Sequence, residues 1–266
     1  MTHEEQNYTF PFGFNLGNLN ENGNKMPLLT PSNDGGFCLL YDDVSEKTAD
    51  KLLESLALQL LDSMPTEHLL VDMFDHGRKK FYQLSALQNY IHLYRVSYTP
   101  EMIDEHFKDL EAKIISRHEE LLCCNRQSIN EHNQKSRQKQ NYHLVLINLA
   151  NFPNEEIELR RIKNFVESAV LAGVYVIAFG NQEIKKSENE GVQTILKHFK
   201  NLNVTNNEFE ITPEIFEFTE LLKTHTFEPL DLDRQMLHDN IMINANLEQR
   251  FIPEILEDET HYKQGI

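Results

Sequence analysis

One short apolar run constrains the fold of this chain more than any other stretch. Residues 142–152 read Y-H-L-V-L-I-N-L-A-N-F, and residues 144–147 within them are continuously apolar. Such a run is typical of a central parallel strand that helices cover on both faces, because no side of it needs to meet water. Asn148 and Leu149 follow the run. Leucine cannot accept a proton, so a site built at this strand end would lack a general base there.

Strand-like and helix-like segments alternate along the chain, which predicts an α/β protein with a parallel sheet and helices on both faces. The sequence E-N-G-N at residues 21–24 is a good turn and predicts a short N-terminal β-hairpin. Loops are expected at residues 27–36 and within 127–141. We expect strands at residues 10–16, 37–41, 68–74, 90–96, 144–147, 174–179 and 209–211, and helices at 46–63, 99–125, 154–172, 193–202 and 213–224.

The charge of the chain excludes some classes of partner. Its 266 residues carry 42 acidic and 25 basic side chains, a formal net charge of −17. A chain this acidic is not drawn to nucleic acid or to an anionic membrane by general attraction. Direct nucleic-acid binding is therefore expected to be weak, or indirect through a basic partner subunit.

Cysteine usage and the apolar runs predict a cytoplasmic location. The three cysteines, Cys38, Cys123 and Cys124, show neither metal-ligand spacing nor a disulfide framework, which suits a reducing compartment. The N-terminus does not read as a signal peptide, and the apolar run around residues 170–179 is too short to span a bilayer. We expect no metal ion and no membrane contact.

Several stretches recur in a family-like order between residues 12 and 182. They are F-G-F-N at 12–15, the strand and loop of 37–48 with the helix to 61, H-L-L-V-D-M-F-D-H-G-R-K-K-F-Y-Q-L at 68–84, R-H-E-E-L-L-C-C-N-R-Q-S-I-N-E-H-N at 117–133, L-I-N-L-A-N-F at 146–152, and A-G-V-Y-V-I-A-F-G-N-Q at 172–182. In order and spacing they resemble the motor domain of the FtsK/SpoIIIE/HerA class of ring-forming translocases. The resemblance implies a RecA-like, three-layer fold, with a domain over residues 1–204 and a C-terminal extension over 205–266 that packs on or extends it.

The phosphate loop departs from the family pattern. A working loop reads G-x-x-x-x-G-K-[ST], whereas residues 41–48 read Y-D-D-V-S-E-K-T, so only Lys47 and Thr48 match. The glycines let backbone amides turn toward the phosphate, and the side chains of Tyr41 and Glu46 would obstruct that approach. We expect this segment to be a helix start, capped by Asp43 or Ser45, rather than a phosphate cradle.

The other nucleotide-handling positions are altered as well. Where the family strand ends in Asp-Glu, this chain has Asn148 and Leu149, while Gln182 matches the sensor-like position. The resemblance therefore marks Lys47, Thr48, Asn148 and Gln182 as vestigial nucleotide-binding residues, and it predicts no catalytic residue.

The expected function is that of a catalytically inactive FtsK/HerA-like pseudo-ATPase without a cofactor. It would act as a structural or regulatory subunit of a bacterial DNA-handling, defence or secretion assembly, through a protein partner, a ring-forming ATPase or copies of itself. One alternative is an ATP-binding or slow ATPase subunit that uses Lys47 and Thr48 with ATP and Mg²⁺. Another is a nucleic-acid-binding accessory protein that uses the basic residues of segment 135–139. A third is an unrelated doubly wound α/β domain.

Overall fold

A computed structural model describes residues 8–77, 79, 81–90, 93–123, 125–153 and 156–245. Cys124, residues 91–92 of the expected strand 90–96, the first two residues of the expected helix 154–172, and the expected extension beyond residue 245 lie outside these ranges. Within them, no helix is both long enough and apolar enough to cross a membrane.

The described residues form ten strands in two sheets. The strands are β1 (Gly13–Glu21), β2 (Asn24–Pro31), β3 (Gly36–Tyr41), β4 (Leu69–Asp75), β5 (Tyr94–Ser97), β6 (Tyr142–Asn148), β7 (Val174–Asn181), β8 (Asn201–Thr205), β9 (Glu208–Glu210) and β10 (Thr226–Pro229). The main sheet has the order β5-β4-β6-β7-β3-β8-β9, and all of its pairs are parallel except β8 with β9. A smaller antiparallel sheet has the order β10-β1-β2.

Helices connect the strands of the main sheet. They are α1 (Glu46–Ser63), α2 (Tyr82–Ala86), α3 (Pro100–Ser116), α4 (Ile129–Lys135), α5 (Glu156–Ser168), α6 (Glu190–His198) and α7 (residues 234–245), with short 3₁₀ turns and a π-helical turn (Arg117–Leu121) after α3. The predicted α/β architecture, a largely parallel sheet with helices around it and an N-terminal hairpin, is confirmed.

Two apolar cores lie on opposite faces of the main sheet. One contains α1, α7 and the small sheet, and the other contains α3, α5 and α6. Strand β6 contributes to both, since Leu144 and Leu146 lie in the first core and Val145 and Ile147 in the second. All four are at most 1% exposed. The continuously apolar run therefore predicted a doubly covered central strand correctly.

The predicted hairpin turn joins β1 and β2. Asn22 and Gly23 both have positive φ, 52° and 90°. That combination is typical of the type I′ turn, whose twist matches the twist of the two strands. Asn206 and Asn207, with φ of 53° and 63°, make a similar turn between β8 and β9.

Several predicted boundaries at the two ends of the chain are wrong. The expected strand 10–16 is displaced to β1, and the expected loop 27–36 contains most of β2. Pro27 and Pro31 are compatible with β2 because it is an edge strand, where a missing N–H costs little. The expected helix 193–202 ends at His198, and β8 follows it.

Other helices differ in extent. The expected helix 99–125 ends at Ser116 before the π-helical turn, and the expected loop 127–141 contains α4. The expected helix 213–224 forms only a 3₁₀ turn at Thr219–Lys223, and α7 was not predicted. Division of the chain after residue 204 stays a prediction; beyond it, β9 extends the main sheet and β10 pairs with β1.

Candidate functional site

The candidate site is the carboxyl edge of the main sheet, where open α/β sheets bind their ligands. Lys47 and Thr48 lie in the first turn of α1, which follows β3. Asn148 is the last residue of β6, and Gln182 begins the 3₁₀ turn after β7. Since β7 separates β3 from β6, Asn148 lies two strands, roughly 10 Å, from β3. All four expected residues thus lie along one edge, but no hydrogen bond or ion pair of the described residues joins any two of them.

The loop between β3 and α1 is closed by its own carboxylate. Asp42 Oδ1 accepts the backbone N–H of Ser45 at 2.9 Å, and Asp42 Oδ2 accepts the backbone N–H of Asn206 at 2.9 Å. Hydrogen bonds from Ser45 and then from Asn206 lower the pKa of Asp42. The amide hydrogen at the start of α1 therefore already meets an anionic oxygen, in the place where a phosphate loop offers its amides to a ligand.

The turn between β8 and β9 closes the same loop from the side. Asn207 donates its backbone N–H to Ser45 Oγ at 2.8 Å and accepts the hydroxyl of Thr48 at 2.6 Å through its side-chain oxygen. Ser45 occupies the N-cap position without a side-chain cap hydrogen bond, and Asp43 instead accepts Asn181 Nδ2 at 2.6 Å. The prediction of Ser45 at the cap of α1 is therefore confirmed in position, whereas the cap hydrogen bond expected from its side chain is not formed.

A lysine from the segment after β4 neutralises the acidic start of α1. Lys79 Nζ lies 2.9 Å from Glu46 Oε1 and 2.6 Å from Asp50 Oδ1, and 5.0 Å from the ring centroid of Tyr41. Its side chain is only 11% exposed. Burial opposes the charged form, yet the hydrogen bonds that Lys79 donates to Asp50 and Glu46 raise its pKa. Sequence reasoning missed Lys79, although the basic run at residues 78–80 was a signal for it.

Lys47 lies on a different face of α1. It is exposed and lines a groove of about 380 Å³ between α1 and the segment that follows β10. Leu52 and Phe209 contribute apolar lining to this groove, and Lys51 forms an ion pair with Asp231 there at 2.6 Å. Neighbouring helix positions point about 100° apart, which explains why Glu46 meets Lys79 while Lys47 meets the groove.

The end of β6 is a buried polar pair. Asn148 donates from Nδ2 to Asp75 Oδ1 at 2.9 Å and accepts the N–H of Ala150 at 3.0 Å. Asp75 and Asn148 face each other in the parallel register and are 0% and 4% exposed. Gly77 approaches so closely that a Cβ there would lie 2.6 Å from Asn148 Nδ2. Sequence reasoning did not single out Asp75, although an aspartate that ends a buried strand was a usable signal.

Leu149, next to this pair, is 1% exposed and packs in the core of α3, α5 and α6. The general-base position of the family is therefore an apolar core position in this chain. In the described part of the chain, no group of three or more His, Cys, Asp or Glu side chains could hold a metal ion.

These residues do not fit a magnesium nucleotide bound in the way of a phosphate loop. The amide of Ser45 and the hydroxyl of Thr48 have protein partners, and Lys79 stands with Glu46 and Asp50 beside the loop. Asn148 is held by Asp75 and carries no charge for a metal shell. Gln182 is half-buried at the end of β7, and its sensor-like role stays a prediction.

No protein-family model and no curated protein sequence matches the chain. Solved structures do. EssC (ATPases 2 and 3) from Geobacillus thermodenitrificans superposes with a TM-score of 0.62 at 10% identity, over 91% of this chain and 50% of EssC. The chain has the fold of FtsK-type ATPase domains. The cytoplasmic domain of Thermomonospora curvata EccC, a type VII secretion ATPase, gives 0.53 at 13% identity over 73% and 22%. The pCW3 conjugation coupling protein TcpA, with ATPgS, gives 0.52 at 16% identity over 76% and 55%.

These likenesses establish the RecA-like fold, and identities of 10–16% establish no more than that. The chain spans about half the length of the EssC structure. The resemblance to the FtsK/SpoIIIE/HerA class, drawn from the sequence, is thus confirmed at the level of the fold.

Proposed function

We propose that this chain is a catalytically inactive FtsK/HerA-like pseudo-ATPase that serves as a structural or regulatory subunit of a larger bacterial assembly. The observation that carries the proposal is the Asp42 carboxylate on the backbone N–H of Ser45. Helix N-termini after a strand are anion sites because their amides have no intrahelical partner. Here the anion is part of the protein, so a triphosphate would have to displace it.

An internal carboxylate is a strong competitor. Its effective concentration at a site a few residues away is on the order of millimolar or more, without any cost of bringing two molecules together. The carboxylate of Asp42 is also held by a second amide, that of Asn206. Binding of a nucleotide would therefore break two hydrogen bonds within the protein. Its phosphates would also be repelled by the carboxylates of Asp42 and Asp43 at close range. Both effects support a domain without a nucleotide cofactor.

The end of β6 supports the loss of hydrolysis independently. Leu149 occupies the general-base position, and a missing general base alone costs roughly 10²–10⁴ in rate. Asn148 donates to Asp75 Oδ1 and has no charge with which to hold a hydrated metal ion. Since the loop and the strand end lie on different strands, both alterations together favour a domain that no longer needs turnover.

The solved structures with a similar fold suggest the kind of partner. EccC is a type VII secretion ATPase, and TcpA is a conjugation coupling protein. We propose that this domain works beside a protein partner of such a secretion, DNA-handling or defence assembly, or pairs with a ring-forming ATPase or with copies of itself. Contact with nucleic acid would then be weak or indirect, given the net charge of −17.

Calorimetric titration of the purified protein with MgATP to millimolar concentration tests the proposal. We expect no binding heat and no thermal stabilisation. Asp42→Asn, which removes the charge and keeps the size, should be folded by circular dichroism and should stay nucleotide-free, because Lys79 and the Asn207 contacts remain.

Saturable binding by the unmodified protein would overturn the proposal. It would favour the alternative of an ATP-binding or slow ATPase subunit. The structure of TcpA, which has a similar fold, contains ATPgS. Loss of that binding in Lys47→Ala, but not in the groove neighbour Lys51→Ala, would then assign the contact to Lys47.

A further inference from the structure

A second polar constellation lies away from the carboxyl edge, between α3 and strands β4 and β6. His143 Nδ1 lies 2.7 Å from Asp72 Oδ2, and His143 Nε2 lies 2.9 Å from Lys113 Nζ. Asp72 and His143 are each 1% exposed, whereas Lys113 on α3 is half-buried. The three side chains form one continuous line of hydrogen bonds from a buried carboxylate to an amine at the surface.

The partners fix the tautomer of the histidine. The ionised carboxylate of Asp72 can only accept, so Nε2 is the nitrogen of His143 left to accept the hydrogen bond of Lys113 Nζ. Nδ1 then carries the proton and donates it to the carboxylate of Asp72. This is the arrangement in which a carboxylate orients a histidine, and the histidine can take a proton from the group that it faces.

Burial and the nearby guanidinium groups disfavour the ammonium form of Lys113. Arg95 Nε and NH2 bind Asp72 at 2.7 and 2.6 Å, so the carboxylate already has a cation of its own. Arg117 lies one helical turn after Lys113, while Asp109 lies one turn before it. Burial first, and then the positive charge of Arg117, lowers the pKa of Lys113, with Asp72 and Asp109 opposing the shift.

The imidazole of His143 is also in the form that can accept a hydrogen bond from Lys113. Burial lowers the pKa of His143, so the imidazole is the neutral acceptor rather than a cation that would repel the lysine. Arg117 is held apart from the contact, because its guanidinium donates to the carbonyl oxygens of Ala172 and Asn141 at 2.6 and 2.7 Å.

We propose that Lys113 is an activated amine and a site of covalent acylation by small acyl thioesters. The neutral Nζ attacks the thioester carbonyl carbon, the N–C bond forms, and the C–S bond breaks with its electron pair leaving on the thiolate. The proton lost by Nζ passes to His143 Nε2, and Asp72 stabilises the imidazolium; solvent then carries the proton to the thiolate. The products are an amide on Lys113 and a free thiol.

Acylation would have a structural consequence that an ordinary surface lysine lacks. The amide nitrogen of an acylated lysine keeps one N–H but carries a bulky acyl group and cannot be protonated, so its hydrogen bond from α3 to His143 on β6 would be weakened. Lys113 is the residue that joins α3 to the Asp72–His143 pair, and the modification would therefore loosen this helix locally while the apolar contacts of Phe107 and Leu110 hold it on the sheet.

Competitive labelling of the intact chain with trace acetic anhydride, followed by peptide mass spectrometry, tests the chemistry. Anhydride reacts with neutral amines, so the pH profile of each lysine reports its own reactivity. Lys108 is the matched control, since it lies on the same helix, 66% exposed, in an ordinary pair with Asp104. Lys79, whose pKa is raised by its carboxylates, is the opposite control. We expect Lys113 to label at lower pH than Lys108. At pH 7 the neutral fraction of Lys113 rises about tenfold for each unit by which its pKa is lowered.

The same digest after incubation with S-acetyl-N-acetylcysteamine, a small thioester, tests the acylation itself. We expect Lys113 to be acetylated ahead of Lys108 and the preference to disappear in His143→Gln, if circular dichroism shows that variant folded. The comparison of lysines within the unmodified protein needs no variant. Equal pH profiles for Lys113 and Lys108, or equal acetylation of the two by the thioester, would overturn the proposal.

Discussion

Restoring the aspartate of the family at the end of β6 should damage this chain rather than repair it. In Asn148→Asp, the donor that now lies 2.9 Å from Asp75 Oδ1 becomes a second carboxylate oxygen. The two groups are 0% and 4% exposed, so water screens them poorly. Two unit charges about 4 Å apart repel by about 4 kcal/mol at the effective dielectric constant of 20 that suits protein sites. We expect a loss of roughly 3–4 kcal/mol in the free energy of unfolding at pH 7.5.

The loss should depend on pH with a definite sign. The carboxylate pair in the folded variant holds one proton more tightly than the unfolded chain does. Stability from that proton is present at low pH and is lost as pH rises, by about 1.4 kcal/mol per unit above the ordinary aspartate value of about 4. Near pH 4.5 the shared proton makes an O–H···O hydrogen bond, and most of the loss should disappear.

Urea denaturation followed by circular dichroism measures both values, since the chain has no tryptophan to report unfolding. The unmodified protein is measured at each pH, so that only differences are compared. Asn148→Ala is the control: it loses hydrogen bonds to Asp75 and Ala150, about 1–3 kcal/mol, with no such pH dependence. An Asn148→Asp variant as stable as the unmodified protein at pH 7.5, or equally destabilised at both pH values, would refute the reasoning.

Three further results are expected. Lys79→Met should lower the free energy of unfolding by about 1–2 kcal/mol in urea titrations, because it removes the cation that pairs with the partly buried carboxylate of Asp50 and the exposed carboxylate of Glu46; no change would show that solvent screens them. Gly36→Ala should prevent folding, since its Cβ would lie 1.7 Å from a carbonyl oxygen of β7, whereas Gly23→Ala, with open space around it, should cost only about 1–2 kcal/mol of left-handed strain. Cys38, buried and with its pKa raised by burial, should resist a thiol reagent in the native protein while exposed Cys123 reacts; equal rates would contradict the core described for β3.

The sequence predicted best where one local pattern had one structural solution. The leucines of residues 46–63 form a single apolar face, and α1 has those bounds. The continuous run of 144–147 had to be a covered strand. Leu196, Phe199 and Leu202 recur every three residues, as on a helix, yet the helix ends at His198 and Leu202 lies in β8. A five-residue strand directly after a helix carries too few residues to reveal the change of period.

The candidate site was predictable only in its positions. The sequence located the altered loop and strand end, because each is read against neighbouring residues. The partners that decide their chemistry are distant: Asn206 lies 164 positions from Asp42, and Lys79 lies 33 positions from Glu46. Such pairs depend on where β4 and β8 lie in the main sheet relative to β3. Local sequence periodicity contains no information about that order.

The small sheet can be completed only late in synthesis of the chain. Strand β1 pairs with β10, and Gly17 faces Pro229, about 210 positions later. A ribosome that adds 5–20 residues per second needs roughly 10–40 s to deliver that partner. During this interval β1 has only β2 beside it, and a two-stranded hairpin alone is marginally stable in water. Until β10 is made, the edge of β1 that it will cover can pair with strands of other chains. The risk of such misassembly falls once the four residues of β10, Thr226–Pro229, have been synthesised and have paired with β1.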